Sequence, residues 1–243
     1  MDVDKIPKII HYCWFGGKEK PPLIKRCISS WEQILSDYEI KEWNENSFDL
    51  NSNDYVRDAY KAGKFAFVSD FVRVFALYNY GGIYLDTDVE VFKSFNEFLH
   101  YDSFWGFEQE NYVATSTIGA AKANQIIEKF LNSYNERDFI KEDGTLDTFT
   151  NVALITKILK ELGVKPNGEK QDLPGMGIFF PQTYFSPYDY INCRKIISDN
   201  TYAMHHFYKS WLPFSSRVKG LIKNVLAAII GGENIARLRK VYK

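Results

Sequence analysis

Two aspartates separated by one residue close the segment Gly81-Gly82-Ile83-Tyr84-Leu85-Asp86-Thr87-Asp88. A glycine turn, a short apolar run and paired carboxylates predict a buried strand with acidic groups at its end. Side chains alternate along a strand, so Asp86 and Asp88 are expected on one side of its C-terminal end. That edge is where open α/β sheets bind ligands. Two carboxylates converging there repel each other unless something positive lies between them. A divalent cation, Mn²⁺ or Mg²⁺, held by the carboxylates and by the oxygens of a diphosphate, meets that requirement.

Residues 65–80, immediately upstream, are long and apolar enough for a buried helix that stops at Gly81-Gly82. Asp70 and Arg73 stand three residues apart in it, on one helical face. An intrahelical ion pair is the plain reading. Among so many apolar neighbours, however, a charged pair needs further partners to offset its desolvation, and a polyhydroxyl or phosphate ligand would supply them.

Ser69-Asp70-x-x-Arg73 followed by Gly81-Gly82-Ile83-Tyr84-Leu85-Asp86-x-Asp88 resembles the signature of the DXD-motif sugar-binding glycosyltransferases. These include bacterial capsular and lipopolysaccharide sugar transferases, fungal initiating α-1,6-mannosyltransferases and, more distantly, the clostridial glucosylating toxins. The likeness begins at Ile6-Pro7-Lys8-Ile9-Ile10-His11-Tyr12-Cys13-Trp14-Phe15-Gly16-Gly17 and returns at Met204-His205-His206-Phe207-Tyr208-Lys209-Ser210-Trp211. It implies a single-domain α/β fold of the GT-A, Rossmann-like kind with a mainly parallel central sheet. It also implies a nucleoside-diphosphate sugar donor, a saccharide or lipid-linked oligosaccharide acceptor, and a retaining, metal-dependent transfer. Carried over residue by residue, it makes Asp86 and Asp88 metal ligands and sets Asp70 and Arg73 on the sugar hydroxyls. Trp14, Asn46, Ser69 and Tyr84 fall on the nucleotide, and Ser210 and Trp211 on the diphosphate from a closing loop. His205 or His206 would complete the metal site, since neutral imidazole is a competent ligand for Mn²⁺-like ions. Lys209 would add positive charge beside the leaving diphosphate. Residue types alone leave Trp14 open between core and base stacking, Tyr84 between packing and nucleotide contact, and the histidine pair between strand end and ligand. One departure is visible: Thr148-Phe149-Thr150-Asn151-Val152 lacks the Gly-Pro that family members carry after a threonine there, on the acceptor side.

The elements that must position these groups follow from the rest of the chain. Strands are expected at 8–14, 38–43, 83–92, 104–107 and 112–118, and helices at 22–35, 51–62, 124–134 and 151–162. This alternation argues for a parallel, doubly wound sheet. A Gly/Pro-rich segment lies around 173–177. The 243 residues carry 30 basic and 31 acidic side chains, a net charge of −1, which gives no electrostatic case for a nucleic-acid partner. Cys13, Cys27 and Cys193 follow no metal-like spacing and point to a reduced, cytoplasmic setting. The chain starts with an acidic, signal-free segment and has no run long enough to span a membrane. Residues 1–214 are expected to form the catalytic domain. In residues 215–243, Val218, Leu221, Ile222, Val225, Leu226 and Ile229 recur at helical spacing among basic residues. Such a basic amphipathic tail suits either the inner face of an anionic membrane or a C-terminal helix packed on the domain with its lysines in water. Two rivals from other classes are a haloacid-dehalogenase-type phosphohydrolase, whose first motif is also D-x-D, and a sugar-binding module without catalysis. The position of the motif far from the N-terminus and the absence of a later Gly-Asp-x-x-x-Asp weigh against the first.

Overall fold

Apolar residues at consecutive strand positions, rather than alternate ones, require a sheet buried on both faces. The computed structural model of this protein, which describes residues 3–109, 112–189 and 194–208, has that sheet at its centre. In chain order the elements are β1 (Ile9–Cys13), α1 (Pro22–Ile34), β2 (Glu39–Trp43), α2 (Asp54–Lys61), α3 (Phe65–Tyr80), β3 (Gly82–Leu85), β4 (Val89–Val91), β5 (Ser103–Gln109), β6 (Tyr112–Val113) and β7 (Thr117–Ala120). They continue with α4 (Gln125–Asn132), α5 (Asn151–Glu161), β8 (Gln171–Leu173), β9 (Gly177–Phe180), β10 (Tyr188–Asp189), β11 (Arg194–Lys195) and β12 (Ala203–His205).

The main sheet runs β2-β1-β3-β7-β5-β9-β8, with β6 paired to β5. β1 pairs parallel with β2 and β3, and β5 with β9. β7 is antiparallel to both β3 and β5, so those two strands point the same way and end on the same edge. The alternation of side chains divides the core. Tyr84, Trp105, Phe107 and Phe179 pack with α2–α5 on one face, while Ile83, Leu85, Phe104, Ile178 and Phe180 pack with Trp31, Phe95 and Phe98 on the other. Short polar caps start the peripheral helices: Asn53 accepts from the Val56 amide, Asn124 from Ile126 and Thr150 from Ala153.

Helix α3 has the bounds its apolar run predicts, and the two glycines after it are sterically required. Gly81 and Gly82 have φ of +67° and +107°. A Cβ on Gly82 would lie 2.6 Å from the Ile9 carbonyl, and one on Gly81 2.7 Å from the Lys122 amide. The tight turn drops the chain directly into β3. His11, fully buried on β1, pins that turn: its Nε2–H donates to the Gly81 carbonyl at 2.8 Å, while Nδ1 accepts from Trp43 Nε1–H at 3.2 Å.

One expectation is corrected here. The strand expected over 112–118 is two strands, because the Thr115 and Ser116 carbonyls leave the ladder for Arg73 and for the Asp86 amide. The Gly/Pro-rich segment is the turn of the β8–β9 hairpin, with Gly175 at φ +74°. Residues 209–243, and with them the boundary expected at 214–215, lie outside the described residues, as does Cys193. No helix among the described residues is long and apolar enough to cross a membrane.

Burial lowers the His11 pKa from 6.5 to about 4. A proton on Nδ1 would also oppose the Trp43 donor. With the folded value below the unfolded one, the stability is present above pH 6.5 and lost as pH falls toward 4, by roughly 3 kcal/mol at about 1.4 kcal/mol per unit. Urea unfolding of wild type and His11→Gln across pH 4–7 checks this: the difference between their slopes should span that window. Parallel curves would mean that His11 titrates as it does in the unfolded chain.

Candidate active site

The two aspartates converge through a turn and not through strand alternation. β3 ends at Leu85, and the Val89 amide bonds back to the Asp86 carbonyl at 2.9 Å, so Asp86 and Asp88 sit on a tight bend. The Asp86 amide donates to the Ser116 carbonyl at 2.8 Å, which fastens the bend to the approach of β7. From the other side β12 pairs antiparallel with β4, with His205 opposite Val89. The His206 amide donates to the Asp88 carbonyl at 3.0 Å and the Tyr208 amide to the Asp88 carboxylate at 2.6 Å.

This brings one ligand atom each from Asp86, Asp88 and His205 within 4.8 Å of one another. His205 Nε2 lies 3.4 Å from Asp88 Oδ1, and its buried Nδ1 has no hydrogen-bond partner. Burial alone would lower the His205 pKa; Asp88, with Asp86 and Glu108, overrides it and raises the value to about 9. Asp88 is also desolvated, yet His205 and the Tyr208 amide hold its pKa below the ordinary value. Two carboxylates and an imidazole with an unused nitrogen form a donor set that fits a divalent ion of the Mn²⁺ kind. His206 does not join them. Successive residues of an extended chain face opposite sides, and its Nε2 meets Glu90 at 2.8 Å.

Behind the bend stands Arg73. Its Nη2 lies 2.9 Å from Asp70 Oδ1 and 3.1 Å from Asp86 Oδ1, and its Nη1 donates to the Thr115 carbonyl at 2.6 Å. The guanidinium lies over the Tyr84 ring at 4.6 Å, and the Tyr84 hydroxyl donates to Asp86 Oδ1 at 3.1 Å. Arg73 is 5% exposed and Tyr84 1%. The sequence expectation that these two touch the ligand is therefore corrected: both are buried supports that aim Asp86. Asp70 differs. Its Oδ1 takes Arg73 and also Asn151 Nδ2 at 2.6 Å, while the carboxylate stays partly exposed. Burial is the main reason its pKa rises, to about 6, against the pull of Arg73. Ser69 turns its hydroxyl back to the Phe65 carbonyl at 3.0 Å, an ordinary helical contact.

Trp14 and Asn46 are brought to one place. Both line a cavity of about 440 Å³ at the carboxyl ends of β1 and β2, with Lys18, Lys20, Glu42 and Asn44. The Trp14 indole N–H donates to the Lys18 carbonyl at 2.6 Å, fixing the ring at the rim. Lys209, Ser210 and Trp211 lie outside the described residues. Three groups escaped sequence reasoning: Asn151, Glu108 and Cys13, whose thiol is buried beside Tyr84 and Ser69 and pushed up to about 12 by burial. Only Glu108 carried a visible signal, an acid at the end of an apolar strand.

Residues 21–105 match the family described as "Glycosyltransferase sugar-binding region containing DXD motif". The chain is 30% identical over 129 residues to inositol phosphoceramide mannosyltransferase 3 of Schizosaccharomyces pombe, covering 50% of this chain and 35% of the relative. It thus spans about a third of that protein's length. Among solved structures it is similar to the PaToxG glycosyltransferase (19% identity, 65% of this chain and 70% of that one, TM-score 0.47). It is also similar to a glycosyltransferase involved in glycosylation of the major capsid of PBCV-1 (14% identity, 88% and 98%, TM-score 0.47). The matched stretch contains α3, β3 and the aspartate pair.

Removing the buried Arg73 would leave the half-buried Asp70 and Asp86 side by side without their shared cation. Breaking a buried pair in this way costs roughly 3–5 kcal/mol, so Arg73→Met should lower urea stability by that amount. A loss under about 1 kcal/mol would show that the guanidinium does not hold both carboxylates.

Proposed function

We propose that this chain is a metal-dependent glycosyltransferase that moves a hexose from a nucleoside-diphosphate sugar to a saccharide acceptor, with retention at the anomeric carbon. The observation that carries the reading is the convergence of Asp86, Asp88 and His205 at the end of β3, together with the cavity at the ends of β1 and β2 that has Trp14 at its rim. Both stand on one edge of the sheet, as a ligand with an aromatic base and a diphosphate would need. A divalent ion held by those three residues would act as a Lewis acid toward the leaving diphosphate.

The chain's own residues supply the rest. Trp14 offers a flat face for the nucleobase, and Asn46 an exposed amide in the same cavity. Asp70 presents its free carboxylate oxygen to sugar hydroxyls, while Asn151 and Arg73 hold the other oxygen. In the transfer, the bond from the anomeric carbon to the diphosphate oxygen breaks and a bond to the acceptor oxygen forms. The acceptor proton passes to the departing phosphate. A front-face displacement of this kind gives retention without a covalent intermediate. The relative's mannosyltransferase name supports a hexose donor and puts mannosyl nucleotides into the test panel. We assign the product to capsular or lipopolysaccharide saccharides, built at the inner face of the cytoplasmic membrane. The support there is the tail's charge, with Arg217, Lys219, Lys223, Arg237, Arg239, Lys240 and Lys243 against Glu233 alone.

Screening uridine- and guanosine-diphosphate hexoses for Mn²⁺-dependent hydrolysis or transfer tests the activity. Asp86→Asn and Asp88→Asn should each reduce turnover per folded molecule by about 100-fold or more, as expected for losing a Lewis-acid site worth several kcal/mol, with the folded fraction read from a melting curve. Full turnover after chelation would end the metal scheme. Trp14→Ala should weaken nucleoside-diphosphate binding by about 1–3 kcal/mol, read by calorimetry.

Membrane attachment is tested separately. Full-length protein should pellet with anionic liposomes at low salt and a chain truncated at Ser216 should not; equal pelleting would refute the attachment.

A further inference from the structure

Strands β3 and β5 end on the same edge of the sheet, with only β7 between them. The penultimate residue of β5 is Glu108. Its neighbours Phe107 and Gln109 pair with Val113 and Tyr112, so Glu108 is an extra residue with no partner on β6. A β-bulge of this kind re-aims the side chain it releases and is enriched beside active sites. The charges Glu108 feels are His205, Asp86 and Arg73, the groups that build the aspartate bend. Unlike Asp70, Asp86 and Asp88, its carboxylate makes no hydrogen bond or ion pair among the described residues. The cations nearby are committed, Arg73 to Asp70 and Asp86, His205 to Asp88.

A third carboxylate beside two others is electrostatically costly, and Glu108 is half-buried with no protein donor among the described residues. Such a group calls for a ligand that brings donors. Strand order says which part of the ligand this is. The cavity with Trp14 lies at the ends of β1 and β2, the aspartate bend follows β3, and Glu108 lies two strands further in the same direction. A nucleoside diphosphate that runs from that cavity to Asp86 and Asp88 carries its sugar toward β5.

We propose that Glu108 receives the hexose of the donor, accepting a hydrogen bond from a sugar hydroxyl and opposing the positive charge that develops at the anomeric carbon. The proposal rests on the glycosyl-transfer reading and assigns the sugar end of that site. Its chemistry adds no covalent step: Glu108 forms no bond and exchanges no proton with the substrate.

The test separates sugar from nucleotide. Binding of uridine diphosphate or guanosine diphosphate with Mn²⁺ is measured by calorimetry for wild type, Glu108→Gln and Glu108→Ala, alongside the corresponding nucleotide hexose. Both variants should bind the nucleoside diphosphate within about two-fold of wild type and lose the extra affinity contributed by the hexose. The kcat/KM for donor hydrolysis should fall about 100-fold, the scale for losing one preorganised electrostatic contact. Glu108→Gln keeps the side chain's shape and carries the test if the alanine variant fails to fold. Equal weakening toward nucleoside diphosphate and nucleotide hexose would move Glu108 into the metal set and overturn the proposal. Unchanged hexose affinity and hydrolysis would overturn it as well. A wild-type protein that binds no nucleoside diphosphate would remove the glycosyl-transfer reading, and the proposal with it, before any variant is compared.

Discussion

A single guanidinium holds this site in shape. Arg73 is buried on α3 and reaches Asp70 on its own helix, Asp86 on the bend after β3 and the Thr115 carbonyl before β7. Three separate pieces of chain are fixed by one planar fork, a geometry an ammonium could not reproduce. Its charge is also what lets two half-buried carboxylates lie side by side. Tyr84 completes the clamp, with its ring under the guanidinium and its hydroxyl on Asp86.

The clamp works because the backbone around it is rigid. Gly81 and Gly82 allow α3 to end against β1 with no room for a side chain, and His11 bonds to the turn from the next strand. The helix that carries Asp70 and Arg73 is thereby locked to the strand that leads to Asp86. Layers of aromatic side chains on both faces of the sheet hold this register. The functional groups then emerge along one edge, from β1 and β2 through β3 to β5.

Much of this was legible in the sequence where a local rule governs. The apolar run of α3 and its glycine stop gave both bounds, and the Asp-x-Asp spacing after a strand marked the chemistry. Long-range contacts were less legible. Arg73 and Tyr84 looked like ligand contacts because residue type shows that a charge needs a partner but not whether the partner is ligand or protein. The choice between His205 and His206 depended on which side of β12 faces Asp88, a matter of register. The break within 112–118 came from two carbonyls drawn away by residues some thirty to forty positions earlier, which no local propensity encodes. Glu108 became distinct only once the bulge and the strand order were known.

The third member of the proposed metal site, His205, arrives on a very short element. β12 has three residues and pairs, among the described residues, with the three-residue β4; its His205 lies 117 positions beyond Asp88. Short two-stranded ladders are among the first parts of a protein to open and close, well below the free energy of global unfolding. An ion that binds across the ladder would stabilise its closed form by mass action. The amide-exchange rates of residues 203–205 would then report site occupancy, while those of β1 and β3 report global stability. Exchange at β12 thus reads the completeness of the site separately from the stability of the sheet.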